Sequence, residues 1–291
     1  MKALILGATG WIGKNIMSQR PNWQWTEVST KNCNLENFRE TNAIEDKYDI
    51  VIHTAGFYGG LPFNRKHGIE ILFKNTVMNV NVCRLVKKIQ PRKFIMIGSA
   101  CLYPPLDNKL LDESMIGGRV FHPSVEYSGL AKLHLYELAR SLGVGFEYLV
   151  VSNAYGPGEH LSPEKSHIVG SLIGKIKKAT NRLEMMGTGA GVRDYIYITD
   201  VAEAVCKYAE LDHATNSCSN ISNSKESTAK QILSTLIKCS GKNLEIVWGD
   251  PKDDGVSYKV LDNKKMRNDI GYEPAVRLDQ GLQRTWQHFI K

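Results

Sequence analysis

The chain has 291 residues, 42% hydrophobic and 23% charged, which is enough apolar material to bury a full core in one large domain or two modest ones. Its formal charge of +7 is scattered, with short clusters at Lys87–Lys88, Lys175–Lys178 and Lys264–Arg267, so it points to a solvated face or a phosphorylated small substrate and away from nucleic acid. No apolar run reaches the roughly 20 residues that a membrane span needs, no basic-then-apolar leader opens the chain, and the six cysteines form no C-x-x-C pair. A cytoplasmic protein is expected, with no membrane partner, no disulfide framework and no metal.

The opening "KALILGA" is a near-continuous apolar run that ends in glycine, as a buried parallel strand should. Behind it "ALILGATGWIGKNIM" places Gly7, Gly10 and Gly13 in a G-x-x-G-x-x-G array between strand and helix. Gly7 permits the tight turn, Gly10 lets the backbone approach a pyrophosphate, and Gly13 lets the helix pack on the sheet. The helix start then offers free N–H groups to phosphates. With Thr9, Trp11 and Ile12, this turn predicts a dinucleotide site.

An acid at the end of the second strand would hold a ribose 2′-hydroxyl. In "WTEVSTKNCNLEN" that end carries Ser29, Thr30 and Lys31, while Glu27 lies inside the strand. Lys31 without a strand-end acid favours NADP (NADPH), and Glu27 keeps NAD open. Leu35, Ala55 and Gly56 complete the expected cofactor set.

"YDIVIHTAG", "KFIMIGSA" and "GFEYLVVSNAYGPG" repeat the strand pattern. Between the first two lies "GIEILFKNTVMNVNVCRLVKKIQ", in which Ile71, Leu72, Val82, Leu85 and Val86 recur at helical spacing. This alternation predicts an α/β fold, a doubly wound parallel Rossmann sheet with ligands at the carboxyl ends of its strands. "PPLDNKLLDESMIGGRVFHP" reads as a loop. Residues 1–154 are expected to form the dinucleotide-binding domain, with a return around 193–212, where "RDYIYITDVAEAVCKYAE" reads as strand, N-cap at Asp200, and helix. Residues 155–291 are expected to form mostly a smaller, discontinuous substrate-binding lobe.

The segments "GATGWIG", "HTAGFYGG", "GSACLYP", "SNAYGPGEHLSPEKSHIV", "RDYIYITDVAEAV" and "DNKKMRNDIGYEP" resemble the extended short-chain dehydrogenase/reductase (NAD-dependent epimerase/dehydratase) family over nearly the whole chain. "GSACLYP" and the "SH" of "PEKSHIV" are more particular to its GDP-L-fucose synthase branch. The resemblance implies that Ser99 bonds the sugar oxygen undergoing redox and that Cys101 and His167 move protons at the carbons beside a keto group. It makes Lys132 the holder of the nicotinamide ribose and the group that lowers a tyrosine's pKa. Asn153, Lys175 and Arg193 fall where the family contacts its nucleotide sugar, although arginine is more usual at the place of Lys175. The chemistry is reasonable on its own terms, since a carbon beside a ketone can be deprotonated by a thiolate and reprotonated from the opposite face.

The stretch "EYSGLAK" departs from the family pattern. The family's tyrosine precedes its lysine by four residues, which advance about 400° and share a helix face. Tyr127 precedes Lys132 by five, which advance about 500°, leaving Ser128 in the tyrosine's place. Either a wide turn or π-bulge, eased by Gly129, swings Tyr127 back, or the tyrosine role is lost.

The resulting expectation is an NADP(H)-dependent epimerase/reductase acting on a 4-keto-6-deoxy nucleotide sugar, with a GDP-sugar favoured. Its alternatives are a nucleotide-sugar epimerase without net redox and a redox-impaired dinucleotide-binding homologue. By analogy with the family a homodimer is expected, formed by the helices at "NTVMNVNVCRLVKKI" and "GLAKLHLYELARSL".

Overall fold

Leu4 and Leu6 point to one face of the first strand and Ala3 and Ile5 to the other, and all four are fully buried, as a strand covered by helices on both sides requires. The computed structural model describes residues 1–118, 121–162 and 166–290. Residues 119–120 of the expected loop and 163–165 of the "SNAYGPGEHLSPEKSHIV" segment lie outside them.

The first half contains β1 (Lys2–Leu6), α1 (Trp11–Gln19), β2 (Gln24–Val28), α2 (Phe38–Asn42), β3 (Ile50–His53), α3 (Leu61–Lys66), α4 (Gly68–Ile89), β4 (Lys93–Ser99), α5 (Glu126–Arg140), β5 (Phe146–Val151) and β6 (Asn153–Tyr155). There follow α6 (Ile168–Lys178), β7 (Arg182–Glu184), β8 (Val192–Arg193), β9 (Tyr195–Tyr197), α7 (Ile198–Glu210), β10 (Ser217–Ile221), β11 (Ser227–Thr228), α8 (Ala229–Ser240), β12 (Glu245–Val247), β13 (Tyr258–Lys259), α9 (Lys264–Ile270) and α10 (Leu278–Ile290).

Six parallel strands form the central sheet in the order β10-β5-β4-β3-β1-β2. The strand order reverses between β1 and β3, which opens a crevice at their carboxyl ends. On one face α4 and α5 bury Met78, Val82, Val86 and Leu135, and on the other α1 and α7 bury Ile16, Val201 and Val205. A separate core of Leu172 and Ile173 from α6, Leu233 and Leu236 from α8 and Trp286 from α10 supports the second lobe, with three small sheets beside it. From the second half of the chain, β10 joins the main sheet beside β5, while α7 before it packs on one of the sheet's faces.

Asp200 is not the N-cap of α7. The strand runs straight into the helix, so Tyr197 takes the cap position and Asp200 sits buried in the first turn. Its carboxylate accepts from the Tyr272 hydroxyl at 2.7 Å and from the backbone N–H groups of Ala275 and Val276 at 3.0 and 3.1 Å, which fastens the C-terminal segment to α7. No helix among the described residues is long and apolar enough to cross a membrane.

Candidate active site

The turn after β1 is a backbone cradle that only glycine permits. Gly7 has φ +100°, and a Cβ on it would lie 2.6 Å from Thr54 Oγ1, while one on Gly13 would lie 2.5 Å from the Gly7 carbonyl. Gly10 N–H bonds that carbonyl at 3.0 Å, and Thr9 and Gly10 are exposed at the mouth of the crevice. Trp11 opens α1 and donates its indole N–H to Pro157 O at 2.7 Å, joining the turn to the chain that enters the second lobe. Ile12 packs against the sheet core, and Ala55 follows directly on the Thr54 that abuts Gly7. Backbone this close, at the start of a helix, fits a dinucleotide pyrophosphate.

After β2 the turn is shaped by Asn32, which accepts from Ser29 N–H and donates to Glu27 O, each at 2.8 Å. Lys31 is exposed in that turn, and Glu27 remains within the strand opposite Ile5. The Leu35 side chain belongs to the core.

Ser99 ends β4, and its hydroxyl accepts from Cys101 N–H at 3.3 Å, which holds the short 3-10 turn Ala100–Leu102 and leaves the hydroxyl hydrogen free to donate. Gly129 lets α5 close on this turn, because a Cβ there would meet Cys101 O at 2.8 Å. Lys132, half-buried on α5, donates its Nζ to Ile97 O at 2.6 Å. Its position is fixed from two sides: Tyr148 Oη donates to Lys132 O at 2.9 Å, and Asn79 on α4 donates to Ala131 O at 3.0 Å. Burial pushes the Lys132 ammonium down to about 8, with the neighbouring Cys101 opposing that fall. Under it, the buried His53 is driven down to about 3 by burial and by the Lys132 charge.

Tyr127 is not brought to this group. Helix α5 is regular from Glu126 to Arg140 and contains no π-bulge, so the five-residue spacing stands. The Tyr127 ring lies on Gly68, where a Cβ would meet it at 2.3 Å, and it is 38% exposed, bordering a surface hollow with Arg65, His67 and Phe73. Ser128 sits in the expected place four residues before Lys132, buried, and its hydroxyl has no partner among the described residues.

The second lobe supplies the other wall. Asn153, His167, Lys175 and Arg193 line one cavity of about 350 Å³, which Leu61 and Pro62 of α3 close from the first half. His167 precedes α6, and the buried Glu159 carboxylate accepts its N–H at 2.9 Å. Burial pushes that carboxyl up to about 8, the His167 and Gly170 N–H groups opposing the rise. His167 is exposed along that cavity, and partial desolvation by the surrounding protein lowers its pKa. Asn153 Nδ2 donates to Asp194 O at 2.8 Å, and Lys175 Nζ to Glu184 O at 3.1 Å.

One residue absent from the sequence reading joins the two walls. Lys259 on β13 pairs in register with Arg193 on β8, which sets two cations side by side. Burial lowers the Lys259 pKa, the nearby Cys101 opposes this, and the Arg193 charge lowers it further. The charges of Lys259, Arg193 and Arg65 together depress His122, after its own burial. Like charges opposite one another on a sheet are destabilising, so this cluster is suited to receive a multiply charged anion. A two-residue strand has no periodicity by which Lys259 could have been singled out.

A glycine cradle at the switch point of a doubly wound sheet, facing a polar cleft with a Ser-x-Cys turn and a half-buried lysine, defines a dinucleotide-dependent enzyme. A model of the NAD-dependent epimerase/dehydratase family matches residues 3–221, and the chain belongs to that family. It is 25% identical over 308 residues to a probable GDP-L-fucose synthase of Oryza sativa subsp. japonica, covering 100% of this chain and 92% of the relative. In fold it is similar to a UDP-glucose 4-epimerase of Thermotoga maritima (TM-score 0.87, 22% identity, 100% and 99% of the two chains). It is also similar to a GDP-6-OMe-4-keto-L-xylo-heptose reductase of C. jejuni (TM-score 0.89, 18% identity, 99% and 97%).

Proposed function

We propose that the protein is an NADP(H)-dependent epimerase/reductase of a 4-keto-6-deoxy nucleotide sugar, with a GDP-sugar favoured. The observation that carries this reading is the paired Lys259 and Arg193, which stand between the Cys101 turn and the cavity lined by His167. Two adjacent cations suit the diphosphate of a nucleotide sugar and would aim its sugar at Cys101. The relatives named for GDP-sugars support the same choice.

The glycine turn would hold the dinucleotide phosphates, the exposed Lys31 suits a 2′-phosphate, Ala55 and Gly56 would line its path, and Lys132 would hold the nicotinamide ribose. The reduced nicotinamide, when bound, supplies a hydride. Ser99 donates a hydrogen bond to the sugar keto oxygen. That bond favours loss of a proton from an adjacent carbon, which Cys101 and His167 take and return on opposite faces. Asn153 and Lys175 orient the nucleotide and sugar. A homodimer through α4 and α5 is part of this reading, supported by the 75% and 68% exposure of the apolar Ile69 and Phe73 on α4.

A second reading, epimerisation without net redox, is favoured by the outward position of Tyr127. Incubation with GDP-4-keto-6-deoxymannose and NADPH in deuterated solvent separates the two. The first reading expects loss of NADPH absorbance together with deuterium beside the carbonyl, and the second expects deuterium alone. Cys101→Ala should abolish the exchange while hydride transfer to a pre-epimerised substrate survives, and exchange at the wild-type rate would remove Cys101 from the proton-transfer role.

A further inference from the structure

The loop after β3 carries a second tyrosine. Tyr58 lies beneath Lys132, whose Nζ stands over its ring at 4.7 Å from the centroid. The loop is held in that shape from below. Buried Asn75 on α4 accepts from Phe57 N–H and donates to Phe57 O, each at 2.9 Å, in the manner of a short strand. Gly56 leaves room for the ring, since a Cβ there would meet Tyr58 Cε2 at 2.4 Å. The same loop touches the phosphate cradle through Thr54 and Ala55.

Resting on the redox reading above, we propose that Tyr58 is the proton donor to the substrate carbonyl, in the role that the displaced Tyr127 cannot reach. With a reduced dinucleotide held by the glycine turn and Lys132, the carbonyl carbon would receive the hydride and be reduced, and the dinucleotide would be left oxidised. The carbonyl oxygen takes the Tyr58 phenolic proton and becomes a hydroxyl. The phenolate, with the Lys132 ammonium over its ring, regains a proton from solvent. Burial, with an added contribution from Cys101, raises the Tyr58 pKa, so the group arrives protonated, as a donor must. Ser128 cannot serve, because its hydroxyl is buried, short and weakly acidic.

The test uses the whole protein with and without dinucleotide. Tyr58→Phe keeps the ring over Lys132 and removes only the hydroxyl. It should lower single-turnover hydride transfer about one hundred- to ten-thousand-fold, leaving NADPH binding and deuterium exchange at the sugar unchanged. In 3-fluorotyrosine-labelled protein, the ¹⁹F signal lost in Tyr58→Phe should shift on addition of NADP⁺ and on Lys132→Met, whereas the signal lost in Tyr127→Phe should do neither. Hydride transfer by Tyr58→Phe at the wild-type rate, or a Tyr58 resonance indifferent to NADP⁺, overturns Tyr58 alone. A wild-type protein that exchanges deuterium but reduces no keto nucleotide sugar overturns Tyr58 together with the redox reading and leaves epimerisation standing. One that does neither overturns the functional reading as well.

Discussion

The loop after β3 and the first turn of α5 each present a tyrosine, and each ring lies on a glycine. Tyr58 rests on Gly56 beneath a half-buried lysine, whereas Tyr127 rests on Gly68 and faces out. The difference teaches that a phenol's place in the chain matters less than which charge it can reach. A single extra residue on a regular helix rotates a side chain by about 100°, while a loop pinned by one asparagine can deliver another ring to the same lysine.

The sharpest way to break the comparison is to remove the charge. Lys132→Met should slow hydride transfer about one hundred-fold or more, measured in single turnover. In the intact protein the Lys132 pKa is lowered from 10.5 to about 8, so the ammonium is present below that pH and lost above it. The pH profile of kcat/KM should therefore fall on the alkaline side with a midpoint near 8, and a profile flat to pH 10.5 would mean that the charged form is not required.

Gly56→Ala is expected to act less severely. The new methyl would displace the Tyr58 ring or strain the loop by about 1–3 kcal/mol, so hydride transfer should drop with little change in thermal stability if the ring moves. Smallest is Gly68→Ala, whose methyl first meets the exposed Tyr127 ring. Unfolding should shift by about 1 kcal/mol or less, and the rate should hold. A rate loss in Gly68→Ala comparable to that in Gly56→Ala would erase the distinction between the two tyrosines.

The cofactor half was legible because its signals are local. Gly7, Gly10 and Gly13 lie within seven consecutive positions, and the strands around them alternate faces in register with their neighbours. The broken spacing at Tyr127 was legible too, but its consequence was not, since helix geometry alone does not say whether a bulge will form. Asp200 reads as an N-cap by residue type, yet its partners are more than seventy positions away. Lys259 carries no pattern of any kind, and Tyr58, although inside the family-like "HTAGFYGG", has no spacing to Lys132 that would single it out.

By itself the amino-acid order determined the doubly wound sheet and the glycine cradle, because both rest on short-range periodicity or backbone permissiveness, whereas Ser99, Cys101, Lys132 and His167 were singled out through the resemblance of their segments to the family. Tertiary structure alone decided which tyrosine stands beside Lys132 and that Lys259 faces Arg193, since both depend on chain segments distant in sequence whose meeting is set by packing.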